Sequence, residues 1–338
     1  MDARLPQPLQ QALHSELEAH SRIELAQNAT RISQNYRRAG GSRASVLGQA
    51  DALAYATSRM PATFAAAMAA FEQVSLRRRE FAPQTALDLG AGCGAATWAM
   101  RQAWPTLHQV QLVDENSAFL DLGQSLAQAM QGSALTWRNQ DLRRFAPGAR
   151  RFDLIVANYA LTELAEADVA ALLARLIPAC SGVLVIVEPG TSRDYQRLMR
   201  MRAALIGAGG KILAPCPHDK TCPLPADDWC HFSARLARSR DHLLAKGASV
   251  PFEDEKFAYL AVELSSGASV LAPSGARVLR KPSVSKHDIS LSLCDREGLR
   301  TIAIRSRDRP AYATARKLRW GDALAGETSQ DENATPAL

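Results

Sequence analysis

No apolar run in this sequence is long enough to cross a membrane, and its start, Met1-Asp-Ala-Arg-Leu-Pro-Gln-Pro, lacks the apolar core of a secretory signal. These absences exclude a chain that spans the bilayer through helices and predict a cytoplasmic location with no membrane partner. No internal repeat is visible, which excludes solenoids and propellers. Cysteine is scarce, at six in 338 residues. In the reducing compartment so predicted, disulfides are disfavoured and thiolate ligation is favoured. The remainder is ordinary globular composition, 47% hydrophobic and 22% charged. At 36.6 kDa the chain buries one sizeable core and carries one or two smaller modules. A monomer is expected.

What is present is unevenly spread. Three of the six cysteines fall in one stretch, Ala214-Pro-Cys216-Pro-His-Asp-Lys-Thr-Cys222-Pro-Leu-Pro-Ala-Asp-Asp-Trp-Cys230-His231-Phe232. Proline follows the first two, fixing φ and removing a backbone donor, and the segment has neither a helical nor a strand period. Such a loop has little apolar surface to offset its ordering entropy, so it reads as a metal or iron–sulfur site. The six- and eight-residue spacings do not match the short cysteine pairs of zinc fingers, although zinc completed by His218 or His231 stays open. Charge is uneven too. The chain carries +6, yet Ser265–Trp320 alone holds twelve Lys or Arg against four Asp or Glu, or +8. That asymmetry is the footprint of a polyanion-binding surface, RNA above all, against the plainer reading of a solvated basic face.

Hydrophobic periodicity organises the rest. Residues 7–75 read as helices, with Gly40-Gly41 as a break and Pro61 in the first turn of a late helix. From Gln84, short apolar strands alternate with helices: Thr85–Leu89, Gln109–Val113, Leu135–Arg138, Phe152–Ala157 and Val183–Val187. Fully apolar strands in such alternation predict a parallel sheet covered on both faces. Val250–Glu253 and Phe257–Leu264 read as hairpin-joined strands closing that sheet, and residues 270–310 as several short strands. The expected fold is α/β, divided into a helical region (1–80), a Rossmann-like sheet domain (81–264) with a cysteine-rich insertion (207–235), a basic β module (265–322) and a disordered tail (323–338).

The ends of the predicted strands carry polar motifs. The first leads into Asp88-Leu-Gly90-Ala91-Gly92-Cys-Gly94, where glycines let the backbone turn sharply and approach a ligand. The second ends in Asp114-Glu115, carboxylates able to accept from both ribose hydroxyls of a nucleoside. The third leads to Asp141-Leu142, where an adenine amino group could donate. The fourth ends in Asn158-Tyr159: an amide to accept from an exocyclic amine and an aromatic to stack, or equally a helix cap and a packed ring. Glu163 and Glu188 lie nearby without an assigned role.

This series resembles the class I S-adenosylmethionine-dependent methyltransferases. The resemblance implies that Gly90 to Gly94 hold the methionine end of S-adenosylmethionine, Asp114 the ribose and Asp141-Leu142 the adenine, with Asn158 and Tyr159 as catalytic candidates. Further segments, Arg59-Met-Pro-Ala-Thr63, Glu188-Pro-Gly-Thr191, the cysteine stretch with Ser233-Ala-Arg235, and Ala315-Arg-Lys-Leu-Arg-Trp-Gly-Asp322, resemble the methyltransferase-like family associated with the mitochondrial small ribosomal subunit and its bacterial relatives. That resemblance implies a [4Fe–4S] cluster on Cys216, Cys222, Cys230 and a fourth, downstream cysteine, here Cys294. Cys93 and Cys180 read as packing residues. It also implies action on small-subunit rRNA or a pre-30S particle, as an rRNA methyltransferase or as an assembly factor. The alternatives are a non-catalytic RNA-binding factor with a structural zinc site, and a small-molecule methyltransferase.

Overall fold

The apolar runs fold as strands that, apart from the third (Ala134–Asn139), are buried on both faces. The protein is described by a computed structural model covering residues 4–37, 42–130, 132, 134–265 and 275–324. The predicted break at Gly40-Gly41 and nearly all of the predicted tail lie outside the described residues. Five helices come first: α1 (Gln7–Glu18), α2 (Arg22–Arg37), α3 (Ser42–Ser45), α4 (Gln49–Ser58) and α5 (Met60–Arg77). Then β1 (Thr85–Leu89), α6 (Ala95–Ala103), β2 (Gln109–Asp114), α7 (Ser117–Ala127), β3 (Ala134–Asn139), β4 (Phe152–Asn158), α8 (Glu166–Leu176) and β5 (Cys180–Pro189) alternate. The five strands lie parallel in the order β3-β2-β1-β4-β5. All five expected strands are present, lengthened by up to three residues at an end.

Alternation along each strand divides the core. On β4, Leu154 and Val156 face α5, α6 and α7, while Ile155 and Ala157 face α8 and the next helix, α9 (Ser192–Gly207). In α5, Phe64, Ala67, Met68, Phe71 and Val74 are buried at helical spacing, with Pro61 in the first turn where its missing N–H costs nothing. Leu9, Leu13 and Leu17 of α1 are buried at four-residue intervals and join the same core.

The far edge of the sheet differs from expectation. Strands β6 (Lys211–Ala214) and β7 (Phe232–Ala237), helix α10 (Arg240–Lys246) and β8 (Phe252–Glu263) follow α9. Residues 250–264 do not form a hairpin; they are mostly one long strand antiparallel to β5. The first half of β8 pairs with β7 and its last residues with β6. Val250-Pro251 lacks a strand partner, and Phe252 to Phe257 is matched residue for residue by Ala237 to Phe232. Phe232, Ala234 and Leu236 alternate inward on β7, a period-two pattern that the preceding cysteine loop obscured.

The basic module has its own small core of Val278, Ile289, Leu291, Leu293 and Ala315. It is built from β9 (Arg277–Val278), β10 (Ser283–Val284), β11 (Asp288–Cys294), β12 (Leu299–Arg305) and α11 (Arg309–Ala315). Its strands pair antiparallel around β11.

Candidate functional site

The sheet order reverses between β1 and β4, and a ligand site in an open α/β sheet is expected at the carboxyl ends of the strands there. A cavity of about 440 Å³ occupies that place. Gly90, Gly92, Asp114, Glu115, Asp141, Leu142, Asn158 and Tyr159 all line it. Gly90 and Gly92 have φ of +64° and +52°. A Cβ on Gly90 would sit 2.3 Å from the Cβ of Ala160, so the close approach of the β1 turn to β4 requires glycine.

Asp114 organises this turn. One carboxylate oxygen accepts from the Gly92 N–H and the other from the Asn116 N–H, both at 2.8 Å. Burial raises its pKa, and those two donors oppose the rise. Asn116 in turn caps α7 through the Phe119 N–H and donates to the Val46 carbonyl, tying the N-terminal helices to the cavity. Tyr55 of α4 and Phe119 of α7, with ring centroids 4.8 Å apart, supply an aromatic wall that sequence spacing did not reveal.

Asp88, Ala91 and Gly94 do not line the cavity. Asp88 is fully buried beneath it, where it accepts from the Thr97 hydroxyl at 2.6 Å, and burial pushes its carboxyl up to about 7. The Ala91 N–H donates to the Val113 carbonyl, and Gly94 starts α6 in the left-handed region. These three hold the turn rather than face a ligand.

Asp141 is engaged by a neighbour. The Arg143 guanidinium contacts both of its oxygens at 2.7–2.9 Å, holds its carboxyl below the usual range, and lies 3.8 Å from Glu115. Arg143 therefore bridges the two acids at the outer end of the cavity.

Asn158 and Tyr159 have different surroundings. The Asn158 amide donates weakly to the Thr63 carbonyl at 3.4 Å, and its oxygen is buried without a partner. Tyr159 is the one non-glycine residue at positive φ (59°) among the described residues, a strained setting characteristic of functional positions. Its N–H donates to the Val187 carbonyl and its hydroxyl to Glu255 at 2.8 Å. Glu255 is also paired with Arg59 at 3.2 Å. The Tyr159 hydroxyl is thus committed to a buried ion pair and is not a free acid or base. Glu188, buried at the end of β5, accepts from the Leu161 N–H at 3.0 Å, and burial, with Asp194 nearby, raises it to about 8.

A second cavity is lined by Cys216, Cys222, Cys230 and Cys294 together, along with Tyr195 and Arg277. The fold brings Cys294 on β11 to the cysteine loop, whereas Cys93 and Cys180 are buried elsewhere as packing residues. Burial raises Cys216, which the Arg202 cation opposes; burial and the other thiols raise Cys230 and Cys294, the latter to about 12. His218 Nε2 is 3.9 Å from the Cys294 sulfur, and His231 packs between Trp229 and Trp320. Among the described residues, no three His, Cys, Asp or Glu side chains converge closely enough to hold a single metal ion. Arg277 is buried, donating to the Pro215 and Gly321 carbonyls at 2.9 and 2.6 Å, so it clamps the module to the loop. The module's other cations are largely exposed, Arg305, Arg307, Arg309, Arg316 and Lys317 among them.

A parallel α/β sheet with a glycine turn after its first strand and an acid ending its second defines a Rossmann-like fold of the class I methyltransferase kind. The chain belongs to the family described as "Mitochondrial small ribosomal subunit Rsm22", which matches residues 49–325. It is 29% identical over 289 residues to the human "Ribosome assembly protein METTL17, mitochondrial", covering 80% of this chain and 62% of that one. It is 24% identical over 321 residues to "Rsm22-cox11 tandem protein 2, mitochondrial" of Schizosaccharomyces pombe, covering 80% and 42%. The chain therefore spans less than two thirds of the length of these relatives. Similar solved structures include the magnesium protoporphyrin IX methyltransferase of Synechocystis PCC 6803 (14% identity, TM-score 0.40, 68% of this chain and 92% of that one). Another is the N-methyltransferase NodS of Bradyrhizobium japonicum (16%, TM-score 0.37, 59% and 94%). The cytoplasmic location expected from the missing signal core is overturned. The family description and these curated relatives are mitochondrial, which points to a mitochondrial rather than a cytoplasmic setting. Lack of a secretory core does not distinguish the two.

Proposed function

We infer that this protein binds S-adenosylmethionine in the β1–β4 cavity, holds a [4Fe–4S] cluster on Cys216, Cys222, Cys230 and Cys294, and acts in assembly of the small ribosomal subunit. The observation that carries the reading is the convergence of all four cysteines, from a loop and a distant strand, on one cavity. Zinc is the weaker occupant. A single ion with Zn–S bonds of about 2.3 Å crowds its four sulfurs, and no such crowding occurs among the described residues. A four-iron cage accepts thiols spread around a larger group. The buried Arg202 and Arg277 beside the sulfurs would balance their negative charge. A bound cluster would supply folding energy to the loop and to the small module it joins.

In the upper cavity, the fit to S-adenosylmethionine rests on the open face of the glycine turn, the fixed carboxylate of Asp114 for the ribose, and the unpaired Asn158 oxygen. The relatives named above are ribosome assembly and ribosomal-subunit proteins, and the exposed cations of the module suit rRNA phosphates. The commitment of the Tyr159 hydroxyl to Glu255 favours an assembly factor that binds the cofactor. The unpaired Asn158 oxygen keeps methyl transfer to rRNA as the second reading. Calorimetry with S-adenosylhomocysteine, with iron and sulfide analysis of anaerobically purified protein, tests the first reading. Absence of both ligands refutes it. Transfer of a tritiated methyl group to small-subunit rRNA would select the second.

A further inference from the structure

Helix α9 presents one face to the thiol cavity. Tyr195, Leu198, Met199 and Arg202 recur at three- to four-residue spacing, and the first three line the cavity. Tyr195 is 7% exposed, and its hydroxyl lies 3.1 Å from the Cys222 sulfur. Arg202 is 4% exposed, donates one Nη2 to the His218 carbonyl at 2.7 Å, and leaves its Nε–H buried without an acceptor. Burying a guanidinium N–H unpaired is costly, and the Cys216 thiol, on which this guanidinium acts by charge and hydrogen bond, is the acceptor at hand. A thiolate that ligates iron has no proton to donate, which makes the Tyr195 hydroxyl the donor to Cys222.

We propose that Tyr195 and Arg202 are the outer donors of this site, hydrogen-bonding the sulfurs of Cys222 and Cys216, fixing their orientation, and stabilising the reduced form of the cluster those thiols hold. The proposal rests on the cluster reading above. One-electron reduction of a [4Fe–4S]²⁺ cluster, by dithionite in the test, adds negative charge that spreads onto the ligand sulfurs. A donor N–H or O–H at those sulfurs therefore favours the reduced form.

The test uses full-length, anaerobically purified protein. Iron and sulfide are counted, and the cluster is titrated with dithionite under spectroscopic control. Tyr195→Phe should retain four irons yet show a more negative midpoint, with the reduced-to-oxidised ratio at the wild-type midpoint falling about tenfold, as expected on removing one charge-assisted hydrogen bond. Met199→Leu, which changes the same cavity without touching a donor, should leave the midpoint in place. 3-Fluorotyrosine at position 195, nearly isosteric and a stronger donor, should move it the other way and does not depend on whether the Phe variant loads. A loaded wild type whose midpoint ignores both changes at 195 overturns this proposal alone. A wild type without iron overturns the cluster reading, and this proposal with it.

Discussion

Glu188→Gln isolates one buried carboxyl and converts its environment into a measurable pH dependence. Glu188 is 1% exposed, one oxygen accepts from the Leu161 N–H, and the other has no hydrogen-bond partner. Burial raises its pKa from 4.5 to about 8. The unfolded chain releases this proton near 4.5 and the folded chain holds it to about 8. The contribution of Glu188 to stability is therefore complete below pH 4.5 and declines as pH rises through 8. At about 1.4 kcal/mol per pH unit across that window, the decline is on the order of 5 kcal/mol. Glutamine keeps an oxygen for the Leu161 N–H and does not titrate. Melting curves at pH 5 and pH 9 should show the wild type losing stability and the variant losing less, by about 4 kcal/mol or about 8–16 °C at about 2–4 °C per kcal/mol. Asp88, raised to about 7, adds a decline of the same sign to both proteins and cancels in the comparison. Parallel pH profiles for the two proteins would refute the reasoning.

Asp114→Asn places an amide NH₂ against either the Gly92 or the Asn116 N–H. It should cost about 1–3 kcal/mol of stability and weaken S-adenosylhomocysteine binding by about 10–100-fold; unchanged affinity in calorimetry counts against the ribose assignment. Single Cys216, Cys222, Cys230 or Cys294→Ser changes should lower iron content and thermal stability together, while Cys93→Ser and Cys180→Ser keep full iron; iron loss confined to Cys180→Ser would mean a misassigned ligand. Reversing exposed charges, as Arg305→Glu with Arg307→Glu, should flatten the salt dependence of RNA binding, by about 0.7 in log–log slope for each single-strand phosphate no longer neutralised. Arg277 is unsuited to that experiment, because it is buried as a clamp and its reversal would disturb the fold.

The parallel strands other than β3 were legible because each is buried on both faces and carries a mostly apolar run. Their polar ends were legible because Gly90, Gly92, Asp114 and Asn158 follow those runs directly. Convergence of Cys294 on the cysteine loop followed from no local pattern; family resemblance alone suggested it. Other features lie in pairings far apart in sequence. Glu255 meets Tyr159 and Arg59 only because β8 doubles back beside β5, and the alternation of β7 is masked by the prolines before it. The sign of φ at Tyr159 and the capture of Asp141 by Arg143 depend on tertiary packing that periodicity does not report. Tyr195 and Arg202 looked like ordinary residues of a basic helix until the loop folded over them.

Strand β8 supports β7 along one half and β6 at its other end, and it also covers the flank of β5. During vectorial synthesis, β5 therefore keeps an unpaired edge until residue 263 has emerged, a late non-local closure of the kind that slows folding and exposes a chain to misassociation. The thiol cavity closes later still, since Cys294 is made after every segment that frames its three companions. A nascent chain interrupted between residues 230 and 294 owns three of the four thiols and no closed cavity. Completion of the cavity thus reports that synthesis has passed residue 294.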